Sequence, residues 1–117
     1  MEITDAIQEL INDNKDLANE ILNLLDSGEF DYIQILVNTL AANIFTIFNY
    51  YVPEDYIIKA ELTKTHTTRN KIKNMLDFLV SESYLLNFKH NKYDIETSIR
   101  GLLNCIALYQ EEKHGWY

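Results

Sequence analysis

Between Tyr32 and Pro53 the chain carries no charged side chain. An apolar run of that length has to be withdrawn from water, into a protein core or into a bilayer. Phe30, Ile33, Val37, Leu40, Ile44, Ile47 and Tyr51 are spaced by alternate steps of three and four, which draws one apolar seam along a helix. Gln34, Asn38, Asn43 and Asn49 are costly in hydrocarbon, and no basic flank anchors either end. The expectation is therefore no membrane span but a central core helix over residues 29–51, ended by Val52-Pro53. Its uncharged polar strip (Asn38, Thr39, Asn43, Thr46, Asn49) is open to another subunit. That makes a homo-oligomer one expected outcome.

The rest of the chain reads in the same way. Over residues 4–26, Ile7, Leu10, Ile11, Leu17, Ile21, Leu24 and Leu25 recur at helical spacing, with Thr4 or Asp5 as the N-cap and Ser27-Gly28 as a glycine C-cap. The polar stretch 12–16 leaves open whether this is one helix or two. A short helix is expected over 53–62, with Pro53 at its first position and Glu54 and Asp55 in its first turn. Threonine-rich 63–68 is a connector. Further helices cover 69–88, with Ile72, Met75, Leu76, Leu79 and Val80 inward, and 94–113, with Ile95, Ile99, Leu102, Ile106 and Tyr109 inward. Three Gly and one Pro leave little material for the turns of a β fold. A chain of 117 residues suffices for one core. The expected fold is all-α, an antiparallel four- to five-helix bundle forming a single domain over 1–117. The acidic N-terminus lacks the basic stretch of a signal peptide, and the single Cys105 precludes an internal disulfide, so a cytoplasmic chain is expected.

Eighteen acids against ten bases give a net charge of −8. The excess is not spread evenly. Up to Asp31 there are nine acids and only Lys15 to oppose them, and nine minus one is already the whole surplus. On a helix of about 3.6 residues per turn, Glu2, Asp5, Glu9, Asp13, Asp16 and Glu20 fall within an arc of about 80°, facing away from the apolar stripe. Like charges at i,i+4 cost about 0.2–0.5 kcal/mol a pair, so fold stability alone would favour interspersed lysines. Two readings stand. The ridge is a docking surface for a basic protein partner, including one whose groove normally holds nucleic acid, or it is a solvated face that keeps molecules apart. Direct nucleic-acid binding is not expected, because an acidic chain repels phosphate.

Lys64, His66, Arg69, Lys71 and Lys73 form a secondary basic patch, expected to fold over the ridge of the same chain or of a second copy. No two of His66, His90 and His114 share a metal-binding helix spacing, and no glycine-rich phosphate loop, H-E-x-x-H or G-x-S-x-G is present. Cys105 reads as a small core filler. No metal, cofactor or catalytic residue is expected. The Arg69-Asn70 pair resembles the start of the Arg-Asn-x4-His element of helical HEPN ribonucleases, but Met75 stands where the histidine should follow. That activity is not carried over.

The function these readings imply is a small acidic helical protein that inhibits or sequesters a basic macromolecule, such as a nucleic-acid-handling defence protein or a toxin. Inhibitors carried by mobile elements and toxin immunity proteins are the classes it would suit. The alternatives are an accessory subunit that oligomerises through the uncharged central helix, and an immunity protein. In size and architecture the chain resembles the helical-bundle bacteriocin immunity proteins, with no motif in common.

Overall fold

The computed structural model describes residues 4–60, 67–85 and 91–114. Their regular structure is helical, with no strand: α1 (Asp5–Leu25), α2 (Phe30–Ile47), α3 (Arg69–Tyr84) and α4 (Lys92–His114). The all-α expectation holds at that level. Both α2 and α3 pack against α1 and against α4.

The first helix is unbroken. Thr4 caps it, its Oγ1 accepting the Ile7 N–H at 3.2 Å. The polar stretch 12–16 does not interrupt it, because Asn14 lies on the inward face and is fully buried. Its Oδ1 accepts from Asn43 Nδ2 on α2 at 3.0 Å, so the amide oxygen is occupied across the interface, while Asn14 Nδ2 is buried without a hydrogen-bond partner among the described residues. After the helix, Ser27 Oγ donates to the Leu24 carbonyl at 2.8 Å, and Gly28 at φ 77° redirects the chain into α2.

Along α2 the expected seam is the core. Ile33, Val37, Leu40 and Ile44 are completely buried and Ile47 nearly so. By length and composition Phe30–Ile47 is apolar enough to cross a membrane; here its seam packs against α1 and α4. The helix stops earlier than the proline implies. Asn49 takes φ 60°, Asn49 N–H donates to the Thr46 carbonyl (3.1 Å) and Tyr50 N–H to the Phe45 carbonyl (2.8 Å). That is a Schellman ending with asparagine in the left-handed position. Tyr51 is consequently off the seam and 82% exposed.

The helix expected over 53–62 is not there. Residues 53–60 form one turn, closed by Tyr56 N–H to the Pro53 carbonyl at 3.1 Å, and then a stretch without regular structure; 61 and 62 lie outside the described residues. Long-range bonds supplant the helix. Asn38 on α2 accepts the Ile58 N–H through Oδ1 at 2.8 Å and makes a long 3.5 Å contact from Nδ2 to the Ile58 carbonyl. From α4, Lys92 Nζ donates to the Tyr51 carbonyl (2.9 Å) and Arg100 Nη1 to the Lys59 carbonyl (3.4 Å). Asn38, expected on an outer strip, is thus a clamp. Replacing it with Ala leaves the N–H of the buried Ile58 without a partner, at a cost of about 1–3 kcal/mol. Exchange of the Ile58 amide should then accelerate about 5- to 150-fold. An unchanged rate would show that the clamp holds nothing.

Thr68 caps α3, its Oγ1 accepting the Lys71 N–H at 3.2 Å, and Ile72, Leu76 and Leu79 point inward as expected, while Met75 and Val80 are half-buried. The helix ends at Tyr84, short of the expected 88; residues 86–88 lie outside the described residues. Two residues earlier than expected, α4 begins with a reciprocal cap. Asp94 N–H donates to Asn91 Oδ1 (3.0 Å) and Asn91 N–H to Asp94 Oδ2 (3.2 Å).

Candidate functional site

The buried side of α1 is Ile11, Asn14, Ala18, Ile21 and Leu25. Asp5, Glu9, Asp13, Asp16 and Glu20 occupy the other side, and all five are exposed. They extend over about 22 Å of helix at 1.5 Å per residue. Glu2, the sixth member of the expected ridge, lies outside the described residues.

Little neutralises this row. Glu20 Oε1 accepts a long 3.3 Å hydrogen bond from the Tyr32 hydroxyl on α2. Among the described residues, Asp5, Glu9, Asp13 and Asp16 make no ion pair. Lys15, the one cation of α1, is drawn off the row: its Nζ sits 4.4 Å from the centre of the Tyr84 ring on α3, a cation–π contact. The carboxylates are left as four adjacent, solvated charges.

The described members of the basic patch, Arg69, Lys71 and Lys73, make no ion pair with this ridge. Lys64 and His66 lie outside the described residues. Arg69 turns to the C-terminal end of α1, where Nη2 donates to the Leu22 carbonyl at 3.4 Å and Nε lies 4.0 Å from Asp26. A cation there complements the negative end of the helix dipole. Gln110 of α4 serves the same end, Nε2 donating to the Leu25 carbonyl at 2.8 Å. Lys73 pairs with Asp77 at 2.8 Å within α3, and Lys71 is exposed. Arg69 and Lys73 therefore have local partners, and neither touches the ridge.

One titratable cluster lies elsewhere, between the 50–60 segment and α4. The Tyr56 ring stands edge-on to Phe45 at 6.2 Å, with Lys92 Nζ 5.4 Å from its centre. Burial first, and then a hydrogen bond to Glu96, together raise the Tyr56 phenol from its ordinary value of 10 to about 12. A phenol that holds its proton more tightly when folded contributes stability fully present below the unfolded value near 10, lost as pH climbs from 10 to 12. Tyr56→Phe should flatten the fall of melting temperature over that window. An equally steep fall in the variant would assign it to other groups.

Sequence reasoning missed this cluster because it joins residues some forty positions apart with no shared periodicity. Among the described residues no three His, Cys, Asp or Glu side chains converge as metal ligands would. Cys105 is half-buried. No protein-family model, curated protein or solved structure matches this chain.

Proposed function

We propose that this protein acts by contact, docking the acidic face of α1 onto a basic macromolecule and occupying the surface that macromolecule uses. The reading extends to the scaffold: an antiparallel four-helix bundle, in the cytoplasm, that presents α1 as a rigid rod of charge. The observation that carries it is the unneutralised row Asp5, Glu9, Asp13 and Asp16, with Lys15 held aside on Tyr84. A row of like charges is a standing cost of a few tenths of a kcal/mol per neighbouring pair, and an opposite surface turns that cost into attraction. Its steering field raises association rates for a cationic partner and repels nucleic acid.

The test is capture from extracts of the source cell on immobilised protein, eluted by rising salt. The partner should be basic and should leave the column as salt approaches 1 M, where the Debye length is about 3 Å. A captured partner that is acidic, or retained regardless of salt, would sink the proposal.

A further inference from the structure

The outward face of α2 is a second surface of a different character. Ile35, Thr39, Ala42 and Thr46 succeed one another at steps of four, three and four, and all are exposed, Ile35 to 61%. The two threonines have their hydroxyl protons taken up within the helix. Thr39 Oγ1 donates to the Ile35 carbonyl at 3.0 Å and Thr46 Oγ1 to the Ala42 carbonyl at 2.9 Å, so they offer a neighbour their methyl groups and no free donor, only acceptor lone pairs. Beside the stripe runs an open groove of about 630 Å³ whose far wall includes Ile57, 58% exposed. It adjoins a second groove of about 550 Å³, reaching towards Tyr51, with Ala42 and Glu54 common to both.

We propose that this stripe is the two-fold contact of a homodimer, with α2 packed antiparallel on the α2 of a second copy about Ala42. An isologous contact sets a surface against itself. A charged face fails that requirement because like charges meet, whereas a face of methyl groups and aliphatic side chains satisfies it. Charge argues for the same occupant. A chain with net charge −8 is approached by its own copy most easily where charge is sparsest: residues 32–53 bear none, and at the groove Asp31 and Glu54 are partly offset by Lys59. A cationic foreign helix would find only Asp31 and Glu54 at the groove, with Lys59 beside them to offset the attraction.

Packing also suits the contact. The stripe from Ile35 to Thr46 runs about 17 Å along α2 at 1.5 Å per residue, and the two grooves beside it carry the surface on towards Ile57 and Tyr51. Ala42 between two threonines lets the helix axes approach to about 8 Å, the close limit of helix packing.

Sedimentation or light scattering at about 100 μM, where a Kd of about 1 μM would leave almost all the protein dimeric, should give twice the chain mass of 13.8 kDa. Ala42→Glu and Ala42→Lys, at an exposed position, should each halve that mass with an unchanged circular dichroism spectrum. Mixed in equal amounts, the two variants should return to the doubled mass, since opposite charges then face each other across the axis. A wild-type chain of single mass overturns the proposal, and so does a dimer that survives both substitutions or a mixture that stays monomeric. The acidic face of α1 is untouched in all of them, so failure of the dimer is separable from failure of the docking surface.

Discussion

Reversing Glu9, Asp13 and Asp16 together to lysine should abolish capture of the basic partner while leaving the melting curve where it was, or slightly higher. The three positions lie on the exposed side of α1 and make no ion pair among the described residues, so no internal contact is lost. The i,i+4 repulsions Asp5–Glu9 and Asp16–Glu20 become attractions, each worth a few tenths of a kcal/mol to the helix, while positions 9 and 13 still carry like charges. For the partner the change is six units of charge on a face it must approach. Steered association exceeds the unsteered rate by about 10- to 1,000-fold, and that factor should be lost first, in the association rate. The dissociation rate should rise too, where carboxylates sit against cations at contact. Stopped-flow or surface-plasmon measurement at two salt concentrations separates the effects: the wild-type association rate should fall steeply with salt, and that of the variant should not. Full affinity in a folded triple variant would reduce the row to a solvated face.

How much of this was legible depends on the range of the interaction. The α2 seam was, because burial of Ile33, Val37, Leu40, Ile44 and Ile47 is written as a period, and a period is a local property of the chain. The exposure of Asp5 through Glu20 was legible for the same reason, since the angle between two residues on a helix depends only on their separation. The end of α2 was not. A single asparagine in the left-handed region terminates it four residues ahead of Pro53, and the pattern of Val52-Pro53 masks that choice. Nor was the irregular stretch before residue 60, where Pro53, Glu54 and Asp55 are good opening residues for a helix. The clamp by Asn38 comes from twenty residues away and overrides them. Lys15 on Tyr84 and Arg69 on Asp26 belong to the same class. These contacts decide which charges remain free at the surface, so a ridge drawn from the sequence leaves open whether anything neutralises it.

Leu40→Ala should destabilise the fold by about 2–5 kcal/mol. Leu40 is completely buried within the main apolar cluster, at the middle of α2. Removing most of its side chain forfeits the transfer free energy and leaves a cavity whose cost depends on how far the surroundings collapse. Collapse is restricted at this position. The same helix packs against α1 on one flank and α4 on another, so movement of either towards the void draws it away from its other neighbours. The upper half of the range is therefore expected. Domains of this size have about 5–15 kcal/mol in total, so the variant should lose about a quarter or more of its stability and melt on the order of 10 °C lower. Asn23→Ala, on the exposed side of α1, supplies the contrast and should shift stability by no more than about 0.5 kcal/mol. The pair also discriminates between the two environments that the uncharged run from Tyr32 to Pro53 allows. In a core helix the leucine is gripped on several sides by protein and its loss is felt by the whole fold. In a segment destined for lipid, the folding of the remaining chain in water would not depend on it. A shift of only a degree or two for Leu40→Ala would remove α2 from the centre of the fold, and the two-fold contact proposed for its outer face would lose its platform.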